Sequence, residues 1–248
     1  MDKRTLYKIL WILTFGIAMG YLEASVVVYL RELYYPGGFA FPLELMAEHI
    51  GTAEFFREAS TIAMLLAVSI LTGRSPTERF ALFVIIFAVW DIFYYAFLKL
   101  LLGWPDSLLT WDILFLIPVT WVGPVAGPLI NSLSMILLGA FLIYFCHRRM
   151  HPQLKIREWI MLILGSLLVI LSYTLDYTRF MLNEFSTAQL LTYYDSTRLL
   201  DHARSYVPRS FNWWIFGAGQ IVILFGIGSY IHRMMHRGRG EEKRKKTI

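Results

Sequence analysis

From Phe80 to Leu102 the chain is apolar almost throughout, with one carboxylate, Asp91, at its midpoint. A helix rises ~1.5 Å per residue and needs ~20 apolar residues to cross a ~30 Å hydrocarbon core. The stretch therefore fits one crossing and puts Asp91 near the bilayer midplane. An acid at that depth must be protonated, paired, or turned toward protein or water.

Apolar blocks of similar length recur along the chain, and hydrophobic residues make up 57% of its 248 residues. That pattern is too apolar for a soluble domain and predicts an all-α, polytopic integral membrane helical bundle. Six transmembrane helices are expected, near Leu6–Leu30, Phe55–Thr72, Phe80–Leu102, Leu129–Cys146, Trp159–Leu182 and Phe211–Ile231. The first run continues through Val26-Val27-Val28, longer than a signal-peptide core, so it reads as an uncleaved span.

The connections carry their own signals. Pro36-Gly37-Gly38 marks a turn, and Pro42–Ile50 reads as a short amphipathic helix ended by Gly51. Gly73–Arg79 is a tight polar turn, and Gly103-Trp104-Pro105-Asp106 closes the third span. Leu108–Cys146 is about twice as long as one crossing needs and is interrupted by Pro118, Gly123-Pro124 and Gly127-Pro128. Because proline breaks helical ladders, the expectation is a re-entrant or interfacial half-helix over 108–122, a break, and then the fourth span. Between 183 and 210, Leu190, Leu191, Tyr194, Leu199, Leu200 and Ala203 alternate with charges, as in a helix lying on a membrane surface. Residues 1–232 then form a single six-span domain with outer loops 31–54 and 183–210. Residues 233–248 form a basic cytoplasmic tail attracted to anionic lipids.

Charge sets the expected sidedness. Lys3, Arg4, Lys8, Arg74, Arg79, Arg148, Arg149, Lys155, Arg157 and the basic run from Arg233 to Lys246 share one side. Only Arg31, Arg57, Arg179, Arg198, Arg204 and Arg209 fall on the other. The positive-inside rule predicts a multi-pass protein of a bacterial-type inner (plasma) membrane with both termini cytoplasmic. Lys99, near the outer end of the third span, can snorkel.

With this orientation, Glu23, Arg57, Glu58, Asp112, Asp176 and Arg179 collect in the outer third of the bilayer, above Asp91. Tyr94 and Tyr95 lie one turn above Asp91. The pattern predicts a polar pocket opening outward with Asp91 at its floor. Asp112, near the start of the half-helix, would face its positive dipole end. The competing reading makes Arg57, Glu58, Asp176 and Arg179 ion pairs that stitch helix ends together. Two short echoes, Glu23-Ala24-Ser25 with Glu58-Ala59-Ser60 and Trp90-Asp91-Ile92 with Trp111-Asp112-Ile113, have no longer period behind them.

Several chemistries find no sequence support. Walker A, H-E-x-x-H and dinucleotide-binding glycine patterns are absent, no lysine stands mid-span, and no nucleic-acid motif accompanies the net charge of +5. The single cysteine, Cys146, excludes an intramolecular disulfide. All six histidines fall at or beyond span ends, against a haem held between helices. His147 with His151, His232 with His236, and Cys146 have zinc-like spacing, yet Pro152 disfavours helix at His151, and basic helix ends are the favoured reading. No metal and no cofactor is therefore expected. Proton- or cation-coupled transport or conduction, with Asp91 and Glu23 as the titrating groups, is the leading function, since intramembrane acids mark such paths. The alternatives are an anchoring or scaffold subunit with a membrane-protein partner, and an enzyme acting on lipid-linked substrates, with Arg57 and Arg179 holding an anionic headgroup.

Overall fold

The computed structural model describes residues 3–44, 46–117, 119–148, 152–192 and 196–245. Six helices are long and apolar enough to cross a membrane: α1 (Lys3–Tyr34), α2 (Glu48–Thr72), α3 (Pro76–Leu102), α4 (Ala126–His147), α5 (Ile156–Leu182) and α8 (Trp213–Lys245). The chain is a multi-pass, all-α membrane protein. Between α3 and α4 lie strands β1 (Trp111–Phe115) and β2 (Trp121–Pro124), and between α5 and α8 lie two short helices, α6 (Thr187–Thr192) and α7 (Ser196–Arg204).

Local sequence explains where α3 starts and stops. The Ser75 hydroxyl accepts from Glu78 N at 3.2 Å, Pro76 occupies the first turn where no backbone donor is needed, and Gly103 closes the helix at φ +69°. Lys99 bends back to donate to Gly103 O at 2.7 Å and Pro105 O at 2.9 Å, covering carbonyls that the helix leaves open.

Helix α3 is the centre of one group, packing along α1 and α4 and touching α2. Helices α5 and α8 form a second pair that meets the first through α4 and β2. Glycine permits the closest approaches. A Cβ at Gly20 of α1 would stand 2.9 Å from Phe93 Cβ and 3.0 Å from Trp90 O on α3, and one at Gly219 of α8 only 2.8 Å from Gly165 O on α5. The main apolar cluster, including Ile12, Met19, Leu65, Leu82, Ile86, Leu142 and Ile227, fills the half of the bundle nearer the two chain termini. Ion pairs fasten that end: Lys8 with Glu78 at 2.5 Å and Arg233 with Glu158 at 2.7 Å.

The structure corrects several expectations. The half-helix at 108–122 is instead an antiparallel hairpin, with Asp112 opposite Gly123 and Ile113 opposite Val122. Trp111, Ile113, Phe115, Trp121 and Val122 are strand-favouring residues in runs too short for a stable helix, and strand pairing satisfies the backbone without one. Asp112 consequently sits in a strand and faces no helix dipole. The Gly127-Pro128 pair lies in the first turn of α4, where it opens the helix. Pro42–Ile50 is not a helix of its own: α2 begins at Glu48 and runs through Gly51, because one buried stripe, Glu54, Glu58, Thr61, Leu65 and Ser69, continues at helical spacing. The 183–210 segment is two short helices, and α8 continues past Ile231 to Lys245. Pro118, Arg149, His151, Tyr194 and Lys246 lie outside the described residues.

Candidate functional site

One face of α1 presents Glu23, Val27, Leu30, Arg31 and Tyr34, spaced so that they form a stripe ~16 Å long. Opposite it stand Glu54, Arg57 and Glu58 of α2 and Trp90, Asp91, Tyr94 and Tyr95 of α3. Strand β1 closes the remaining side with Asp112 to Leu116. Together they enclose a cavity of roughly 140 Å³ that runs from Tyr35, Phe39 and Met46 in the α1–α2 connection inward to Asp91.

The polar groups of the cavity sort by partner. Arg57 pairs with Glu23 across the α1–α2 contact and donates from Nε to Glu54 at 2.8 Å. Arg31 Nη2 donates to Asp112 Oδ1 at 3.3 Å, and the Tyr95 hydroxyl donates to Asp112 Oδ2 at 3.2 Å. The Arg31 guanidinium lies 3.7 Å from the Trp104 ring centroid and 4.6 Å from that of Phe39. Burial pushes the Asp112 carboxyl up to about 6, against the opposing pull of Arg31 and Tyr95.

Glu58 and Asp91 differ from these acids, because neither forms an ion pair among the described residues, Arg57 acting on Glu58 only at longer range. Glu58 accepts from Leu116 N at 3.0 Å and so ties the far end of β1 to α2. Asp91 accepts from the Ser132 hydroxyl of α4 at 2.7 Å. Two buried donors in the same cavity wall, Arg31 Nη1 and Trp90 Nε1, find no acceptor among the described residues.

Next to Ser132, a polar network crosses the seam between the two helix groups. Asn131 donates to the Tyr173 hydroxyl at 2.8 Å, Gln220 donates to Asn131, and Ser134 donates to Gln220 at 2.9 Å. Gly127 leaves room for the Tyr173 hydroxyl, which a Cβ there would meet at 2.7 Å. Such contacts hold membrane helices together when each partner is satisfied.

Of the residues singled out from sequence, Glu23, Arg57, Glu58, Asp91, Tyr94, Tyr95 and Asp112 line this cavity. Asp176 and Arg179 line a separate, smaller one with Ser172, Leu175, Ser210 and Asn212. There Asp176 accepts from the Tyr206 hydroxyl at 2.8 Å and Arg209 N at 3.2 Å, and burial beside this carboxylate pushes the Tyr206 phenol up. Sequence reasoning did not mark Arg31, Glu54, Trp90, Trp104 or Ser132 as site residues. Arg31 was legible in principle, since it stands eight residues after Glu23 on the same helical face. Ser132 gave no signal, because a serine in a membrane helix usually bonds its own backbone. Among the described residues no three histidine, cysteine, aspartate or glutamate side chains gather as a metal site. His147 lies 3.5 Å from the Thr5 hydroxyl, and His232 packs against His236 with the rings tilted at 58°.

Comparison with protein families, curated proteins and solved structures finds no match to this chain.

Proposed function

We propose that this protein is a proton- or cation-coupled carrier, captured with its cavity reaching inward from one face of the membrane. The observation that carries the reading is the division of the acids in one cavity. Glu23, Glu54 and Asp112 are ion-paired with arginine, whereas Glu58 and Asp91 form no ion pair among the described residues. An acid at bilayer depth without a cationic partner is the kind of group that carries a proton or holds a passing cation. Asp91 and Glu58 are the coupling groups in this account: Glu58 takes the place expected of Glu23 from sequence, because Glu23 is ion-paired with Arg57.

The surroundings support the same reading. Beyond Asp91 the apolar cluster of α1, α2, α3, α4 and α8 seals the path toward the terminal end, as a carrier open to one side requires. Both termini face the cytoplasm by the positive-inside rule, so the cavity opens outward. The test is proton and cation flux in proteoliposomes containing the purified chain and an entrapped indicator. Asp91→Asn abolishes flux while leaving a monodisperse elution profile. A variant that folds and retains wild-type flux refutes the reading.

A further inference from the structure

The cavity holds unmatched groups of both signs. Arg31 is 7% exposed and Trp90 9%, and Arg31 Nη1 and Trp90 Nε1 each lack an acceptor among the described residues. Among the described residues Asp91 and Glu58 form no ion pair in the same enclosure, each meeting only a neutral donor. Orphaned buried donors are uncommon and call for a missing partner. A ligand that presented only an anion would meet five carboxylates against two arginines on the walls. A ligand that presented only an ammonium would leave both N–H groups empty.

From this complementarity we infer that the cavity binds a small zwitterion. Its oxyanion, a carboxylate or phosphate, accepts from Arg31 Nη1, and its ammonium lies between Asp91 and Glu58. This rests on the carrier reading and names the substrate class of that site. Asp112 keeps Arg31 in place through Nη2, and the faces of Trp104 and Phe39 hold the guanidinium plane, so Nη1 is fixed before a ligand arrives. The cavity of roughly 140 Å³ compares with the ~150 Å³ that admits a six-carbon ring, which sets the scale at several heavy atoms. Tyr94 and Tyr95 line the same cavity and add aromatic surface to it.

An ammonium and an oxyanion on one short molecule can come from a free solute or from a lipid headgroup of the ethanolamine type. The test uses the full chain in phosphatidylcholine nanodiscs and measures saturable binding of radiolabelled β-alanine and O-phosphoethanolamine. Ethylamine, acetate and inorganic phosphate serve as half-ligands. At least one zwitterion binds, and each half-ligand binds at least tenfold more weakly. Arg31→Gln and Asp91→Asn each weaken zwitterion binding at least tenfold. Trp90→Phe keeps the ring and removes only the N–H, weakens binding several-fold, and reports on the site even if Arg31→Gln fails to fold. Replacing part of the phosphatidylcholine with phosphatidylethanolamine lowers free-ligand binding if the headgroup is the occupant and leaves it unchanged if a free solute is.

Absence of zwitterion binding overturns the inference, as does binding unaffected by Trp90→Phe and Asp91→Asn. Ethylamine binding as tightly as the zwitterions overturns it too, because only a cation site would remain. Flux in the proteoliposomes separates the two proposals: Asp91-dependent flux without zwitterion binding refutes this inference alone, and flux that survives Asp91→Asn refutes the carrier reading.

Discussion

Removing the Asp112 carboxylate tests how the cavity wall is held. Arg31 is 7% exposed and Asp112 2%, so solvent screens the pair little. Asp112→Ala leaves a buried guanidinium that already lacks one acceptor with only the Trp104 and Phe39 faces beside it. Breaking a buried pair from one side costs about 3–5 kcal/mol, and the Tyr95 hydroxyl loses its acceptor as well. At roughly 2–4 °C per kcal/mol for a chain of this size, Tm falls by about 6–20 °C. The half-buried Cys146, the only cysteine and on α4, makes a thiol-reactive fluorogenic dye a suitable reporter of unfolding in detergent. Arg31→Leu combined with Asp112→Ala removes both charges and recovers more than half of the loss, giving a coupling of at least ~1.5 kcal/mol in the double-mutant cycle. A fall of under ~2 °C for Asp112→Ala, or additive single variants, refutes the claim that this pair holds β1 against α1 and α3.

Three further outcomes follow from the same contacts. Glu58→Ala strands the Leu116 N–H and lowers stability by about 1–3 kcal/mol, whereas Glu58→Gln keeps a carbonyl acceptor and loses under ~1 kcal/mol; equal losses in chemical denaturation would show that the Glu58–Leu116 bond does not anchor the hairpin. Gly219→Ala drives a methyl into the α5 backbone and costs about 1–3 kcal/mol, while Gly217→Ala meets nothing within 4 Å and is neutral or slightly stabilising, so melts of the two variants should diverge. The folded chain takes up the Asp112 proton near pH 6, before the unfolded chain does at ~3.9, so this group favours the fold increasingly as pH falls between those values. Asp112→Asn makes that slope shallower in a stability–pH profile by the share due to this one group, and an unchanged slope would show that Asp112 does not contribute to it.

Much of the architecture was legible because one physical demand, covering a hydrocarbon thickness with helix, writes itself into long apolar runs. The start of the third span lies at Pro76, inside the stretch Gly73–Arg79 expected to be a polar turn, because Ser75 caps the helix and Pro76 opens it, but its end was readable from Gly103. The hairpin was not, because proline and glycine announce a broken helix without saying which paired structure replaces it, and strand pairing joins residues across a turn. The start of α2 was misread for the opposite reason: Gly51 looked like a stop, but the buried stripe beginning at Glu54 outweighs one glycine. The echoed triplets gain a shared location, since Glu23, Glu58, Asp91 and Asp112 all line one cavity. Depth and charge identified those acids, but their partners are set by side-chain reach between helices. Only the structure separates Glu23, paired with Arg57, from Glu58, which meets a backbone N–H.

That separation gives the central claim its most direct test, a comparison of single acid-to-amide variants in one proteoliposome flux assay at equal reconstituted protein. Asp91→Asn and Glu58→Gln should each abolish coupled flux, and Glu23→Gln should slow it while lowering thermal stability, because it disturbs Arg57 without removing a coupling group. Loss of flux in Glu23→Gln with near-normal flux in Asp91→Asn or Glu58→Gln would contradict the account.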